Sequence, residues 1–152
     1  MLFRSIAEDC EITLDFSELT MTPVKEGWGN GIDMLLRLDD PLKSDIECEV
    51  SLSGQGVPRV RSSYRRYTPT GGIRDVDYAE VSGLKSSGRL RLVRHGAELF
   101  ALFAEAGTDE FRLIESYTIG NYPIRNISLR TKSSDAQGKV DVLMERLTIR
   151  RK

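Results

Sequence analysis

The sequence predicts an all-β protein, an antiparallel sandwich or barrel. Three observations carry the prediction. Polarity alternates every second residue through most of the chain, Gly-bearing links recur at short and regular spacing, and helical periodicity is weak throughout. Cys10, Ile12, Leu14 and Phe16 alternate with Glu11, Thr13 and Asp15, the pattern of a half-buried strand. Gly31 to Leu38 is apolar on both parities, as expected of a central strand covered on each side. Ile46, Cys48, Val50 and Leu52 alternate with Asp45, Glu47, Glu49 and Ser51, which predicts a second half-buried strand with one wet face. Arg59 to Tyr67 is a further strand with small and polar residues interleaved. Pro69 through Gly88 is expected to be a long, exposed excursion, with Tyr78 beside Asp75 and Asp77 in it.

Arg89–Arg94, Leu99–Glu105 and Phe111–Tyr117 follow as three strands, linked by 95–98 and 106–110 in hairpin fashion. Ala101 to Glu105 could open a helix, but Gly96 and Gly107 bracket it too closely for the ~10 residues that a stable helix prefers. Arg125–Thr131 and Val140–Arg150 are expected to form a last pair around the link 133–138. No repeat and no linker interrupts the series of about nine strands, so the expectation is a single β-sandwich domain over residues 1–152.

At 39% hydrophobic and 30% charged residues, the chain is neither collagen-like nor low-complexity, nor is it wholly disordered. No apolar run approaches the roughly 18 residues needed to cross a bilayer. The opening stretch turns acidic at Glu8 and Asp9 before a signal peptide could develop. A soluble chain without an export address is therefore expected, cytoplasmic if complete and extracellular if part of an exported protein.

The net charge of −1 hides an asymmetry. Residues 1–50 hold 4 basic and 12 acidic side chains, residues 51–100 hold 9 and 4, and residues 101–152 hold 9 and 7. Arg59, Arg61, Arg65 and Arg66 crowd into eight positions. Such forks suit phosphate or carboxylate, yet a dedicated nucleic-acid binder carries a basic total. The expectation is that the acidic first third lies beside the basic middle third, with charges paired across neighbouring strands and no nucleic-acid partner. Two cysteines, Cys10 and Cys48, and one histidine, His95, are too few for a disulfide scaffold or a zinc site. Buried free thiols are expected, and nothing local supports a catalytic Cys–His pair. No cofactor is expected. Asp39-Asp40-Pro41 reads as a turn, since calcium wants six to eight oxygens.

Gly88-Arg-Leu-Arg-Leu-Val-Arg-His-Gly96, then Glu98-Leu-Phe-Ala-Leu-Phe-Ala-Glu105, then Phe111-Arg-Leu-Ile-Glu115 resembles the strand meander of concanavalin A-like lectin and glucanase domains. Asp9-Cys-Glu-Ile-Thr-Leu-Asp-Phe16 is similar to their first strand, although an aromatic commonly stands at the place of Cys10, and Arg146-Leu-Thr-Ile-Arg150 is similar to their closing strand. The best match is with uncharacterised bacterial domains of that superfamily. The resemblance spans about two thirds of the chain. It implies a two-sheet jelly roll of bent antiparallel sheets whose concave face often holds a sugar chain.

Asp45-Ile46-Glu47-Cys48-Glu49 resembles the E-I-D-I-E strand of the glucanases in that superfamily, where the first Glu is nucleophile, the last is acid/base and the middle Asp tunes both. Residues i, i+2 and i+4 of a strand share one face at about 6.6 Å per step, and retaining glycosidases need two carboxyl groups ~5–5.5 Å apart. Here the nucleophile position is a shorter Asp and the tuning position a longer Glu, and the chain has one Trp where glucan clefts display several aromatics.

A binding role needs flat rings for the C–H face of a sugar, with planar polar groups for its hydroxyls. Trp28, in the Gly-rich loop 27–31, and Tyr64, Arg65 and Tyr67 are the candidates. The leading expectation is a non-catalytic module that binds carbohydrate or another partner through these four residues. The alternatives are a retaining glycoside hydrolase using Asp45, Glu47 and Glu49, and a structural module that oligomerises through edge strands. A membrane partner is not expected.

Overall fold

A computed structural model describes residues 5–24, 27–81 and 86–152. They form ten strands: β1 (Cys10–Met21), β2 (Asn30–Leu38), β3 (Asp45–Leu52), β4 (Pro58–Tyr67), β5 (Ile73–Val81), β6 (Gly88–His95), β7 (Glu98–Glu105), β8 (Arg112–Thr118), β9 (Ile124–Ser133) and β10 (Val140–Arg151). Two five-stranded antiparallel sheets pack as a sandwich. One runs β5-β4-β3-β2-β9 and the other β10-β1-β6-β7-β8. We call them the β3 sheet and the β1 sheet. Among the described residues no helix is long and apolar enough to cross a membrane.

Period-two alternation builds the core directly. Ile32, Met34, Leu36 and Leu38 of β2 and Ile46, Cys48 and Val50 of β3 face Cys10, Ile12, Leu14 and Phe16 of β1, with Leu90, Leu92, Leu99, Ala101 and Phe103 from β6 and β7. Most of these side chains are entirely shielded. Both cysteines are free and buried, and burial pushes both thiols above their ordinary range. His95 is exposed and bonds Asp9 Oδ2 through Nδ1 at 2.9 Å. Ala101 sits in β7, so the helical option for 101–105 gives way to a strand whose alternate residues fill the core.

Acidic and basic strands do lie side by side. β1 pairs with β6, placing Asp15 opposite Arg89, and β3 pairs with β4, placing Glu49 opposite Arg61 and Asp45 opposite Arg65. Three expectations need correction. Residues 73–81 are strand β5 rather than loop, paired with β4 at the edge of its sheet, while 82–85 lie outside the described residues. β9 and β10 do not pair with each other: β9 joins β2 and β10 joins β1, so the link between them crosses from sheet to sheet. Finally, β3 has no wet face. Asp45, Glu47 and Glu49 are as buried as the apolar residues between them.

The turn after β2 shows what Asp40 does. Its carboxylate accepts from the Ser44 amide and hydroxyl, each at 2.7 Å, and its carbonyl accepts from the Lys43 amide. Asp39 stands apart, half exposed, 3.8 Å from both Lys43 and Arg125. This is the arrangement of a turn.

Candidate functional site

The face of the β3 sheet turned away from the core collects the odd-numbered residues of β2, β3 and β4. Register fixes the rows: Asp33 lies opposite Glu49, Leu35 opposite Glu47 and Arg37 opposite Asp45. On the far side of β3 come Arg61, Ser63 and Arg65, and on the far side of β2 come Arg130 opposite Asp33 and Lys132 opposite Gly31. A stripe of carboxylates thus runs down the middle of the sheet between two rows of cations.

Asp33, Asp45, Glu47 and Glu49 are each at most 2% exposed although no second sheet covers them. The long side chains beside them provide the cover. Arg130 clasps Asp33 with two donors at 2.8 and 2.9 Å, the bidentate geometry that an arginine fork favours. Arg61 Nε is 2.8 Å from Glu49 Oε1. Arg65 pairs with Glu47 and stands 3.7 Å from Asp45, which Arg37 approaches to 3.6 Å. Lys132 Nζ pairs with Glu47 and Glu49 and lies 3.3 Å from Asp33. One ammonium therefore sits among three carboxylates, two of them directly opposed across strands, where like charge alone would be destabilising.

Burial pushes Lys132 below its ordinary value, with Asp33 pulling the other way. The hydrogen bond to Asp33 raises Arg130. Tyr67 donates its hydroxyl to Asp45 Oδ2 at 2.8 Å, and burial together with that bond keeps the phenol protonated above its usual range. Among the described residues, the four carboxylates lie among five cations, Arg37, Arg61, Arg65, Arg130 and Lys132, and Arg59 pairs with Glu80 at the margin, so the floor presents fixed N–H donors.

Among the described side chains, two aromatic rings stand near its ends. Trp28 is 41% exposed, with Lys132 Nζ 5.0 Å from the ring centroid. Its carbonyl accepts from Arg59 Nη2 at 2.9 Å, and Arg59 Nε donates to Ser51 Oγ at 3.2 Å. Gly29 brings the loop in against β3: its φ is +117°, and a Cβ there would lie 2.0 Å from the Leu52 carbonyl. Tyr67, half-buried, marks the other end beside Asp45. From the Ser51 row to the Asp45 row is roughly 20 Å of strand.

Of the four expected ligand-binding residues, Trp28, Arg65 and Tyr67 share this face. Tyr64 does not. Its position between Ser63 and Arg65 sends it to the other side of β4, into the core, where its ring lies 5.7 Å from that of Tyr117 and beneath the Arg66 guanidinium. Asp45, Glu47 and Glu49 do share the face, as i, i+2, i+4 spacing requires, but each is sealed by cations rather than open to a substrate. Asp33, Arg130 and Lys132 belong to the site without having been singled out. The alternation of Arg130 with Lys132 on β9, matching that of Arg61 with Arg65 on β4, was the available signal.

The family model described as "Protein of unknown function (DUF1583) C domain" matches residues 5–151. No curated protein matches the chain significantly in sequence. Among solved structures, that of a functionally unknown protein from Saccharomyces cerevisiae is similar with a TM-score of 0.67 and 10% identity, over 98% of this chain and 72% of that one. The xylan β-1,4-xylosidase from Bacillus halodurans C-125 is similar with a TM-score of 0.60 and 9% identity, over 94% of this chain and 28% of that one. At such identities the likeness is one of fold: a β-sandwich like part of a glycoside hydrolase.

Proposed function

The chain belongs to the family described as the DUF1583 C domain, and from that premise we propose that it is a single, non-catalytic β-sandwich domain of the concanavalin A-like jelly-roll type that binds carbohydrate on the outer face of the β3 sheet. The observation that carries this reading is the exposed Trp28 ring and the half-buried Tyr67 ring standing at opposite ends of a floor of oriented guanidinium groups. Rings pack against the C–H faces of sugars, and fixed N–H groups donate to their hydroxyl oxygens. The fold likeness to a xylosidase adds support and makes xylan a sensible first probe.

The hydrolase alternative draws on the shared face of Asp45, Glu47 and Glu49. It needs one carboxyl group protonated and within reach of a glycosidic oxygen. Each of the three is at most 2% exposed and engaged by one or more cations, which favours the binding role.

Affinity electrophoresis in gels containing soluble xylan and other neutral polysaccharides tests the proposal. Retardation by at least one polysaccharide, lost in Trp28→Ala, is expected. Unretarded migration across the panel counts against it.

A further inference from the structure

The opposite surface of the sandwich, the outer face of the β1 sheet, carries a cleft of about 570 Å³ that the carbohydrate proposal does not use. β1 supplies its floor with Glu11, Thr13 and Asp15. Register sets Arg150, Thr148 and Arg146 of β10 along one side, and Arg91 and Arg89 of β6, opposite Thr13 and Asp15, along the other. The link between β7 and β8 folds Phe111 and Asp109 over the rim. Phe111 holds the two β6 guanidinium groups, with Arg91 3.7 Å and Arg89 4.9 Å from the ring centroid.

The arginines are not saturated by this floor. A guanidinium carries five N–H donors. Arg91 donates Nε to Thr13 at 2.9 Å and lies 3.4 Å from Glu11. Arg146 donates Nε to Asp15 at 2.8 Å, and Arg150 stands 3.8 Å from Glu11. Arg89 donates to Asp109, whose side chain is 97% exposed and free to yield its place. Four guanidinium groups thus face three carboxylates, one of them solvated. Burial lowers Arg91 from its ordinary value, with Glu11 pulling the other way and Arg89 and Arg150 adding to the fall.

We infer that this cleft is a second binding site, for a saccharide bearing carboxylate or sulfate groups, held by Arg89, Arg91, Arg146 and Arg150. Its volume lies in the range of sites for organic ligands and is many times the ~30 Å³ share of one water molecule, so a lone inorganic ion would leave it mostly unfilled. The fork geometry of arginine matches the oxygens of either group. Thr148 adds a hydroxyl for the sugar ring, and the excess positive charge makes binding weaken as salt rises.

Calorimetric titration of the intact chain at low salt tests this, using an oligogalacturonate, a sulfated oligosaccharide, a neutral xylo-oligosaccharide and inorganic sulfate. Arg146 and Arg150 are 72% and 71% exposed, so the double variant Arg146→Gln/Arg150→Gln keeps the fold. At least one acidic oligosaccharide is expected to bind, and to bind about tenfold or more weakly to the double variant. The carboxylated and sulfated arms identify which oxyanion is preferred, and Trp28→Ala leaves this binding unchanged even if it abolishes retention by neutral polysaccharide. The inference fails if neither acidic oligosaccharide binds, if the double variant binds it as well as the parent does, or if inorganic sulfate binds as tightly as the saccharide.

Discussion

Lys132 on β9 reaches across the whole width of β2 to pair with Glu47 on β3. It can do so because the residue opposite it on β2 is Gly31, which places no side chain in its path. A Cβ at 31 would also lie 2.6 Å from the Val50 carbonyl and 2.8 Å from Ser51 Cβ. A glycine, a lysine and a carboxylate on three adjacent strands therefore work as one unit, and the floor of the proposed binding face depends on it.

Replacing the ammonium should cost stability. Lys132→Met leaves Glu47, Glu49 and Asp33 buried with one cation fewer, and breaking such a pair from one side costs about 3–5 kcal/mol. Arg61, Arg65 and Arg130 soften the loss, so about 3 kcal/mol is expected in urea unfolding. A change within ~0.5 kcal/mol would mean that the lysine carries no such weight.

Tyr64 should behave as a core residue. Tyr64→Ala is expected to lose about 3–5 kcal/mol, in line with other truncations of large buried aromatics, whereas Tyr64→Phe retains polysaccharide retardation. Loss of retardation in a folded Tyr64→Phe would return this residue to the binding site.

Alkaline pH should destabilise the fold through Tyr117. Burial raises its phenol to about 12, above the ~10 of an unfolded tyrosine. The folded state therefore holds its proton where the unfolded state has released it. Its stabilising contribution is complete below about pH 10 and is lost as pH rises towards 12, by about 3 kcal/mol in all. Urea midpoints measured across that window should fall, and fall less steeply in Tyr117→Phe. Parallel slopes for the two proteins would remove Tyr117 as the cause.

Much of the architecture was legible because alternation needs only one sheet face to be apolar, and β1, β6 and β7 obey that rule. β5 was missed for the same reason. Arg74, Asp75 and Asp77 belong to an edge strand that buries little, so its pattern resembles a loop. The pairing of β9 with β10 was misjudged because proximity in sequence suggested a hairpin, whereas two sheets need a link that crosses between them. On β3, alternation correctly separated the two faces but could not show that the polar face is dry. That depends on Arg130 and Lys132, some eighty residues away along the chain. The place of Trp28 near one end of the face was visible only as a Gly-rich loop before a strand.

The three carboxylates of β3 should be structural. The chain is expected to release no reducing ends from xylan or β-glucan, and Glu49→Gln should alter the unfolding midpoint while leaving that baseline where it was. Turnover by the parent that Glu49→Gln abolishes would establish the hydrolase alternative.

The central claim is that neutral polysaccharide is held on the outer face of the β3 sheet. Backbone and indole N–H shifts followed by NMR during titration with a retarding oligosaccharide test it most directly. The account predicts that perturbations gather at Trp28, Arg61, Arg65, Tyr67 and Lys132, and leave β1, β6 and β10 at rest. Perturbations confined to the β1 sheet, or to the Tyr64 and Tyr117 end of the core, would contradict it.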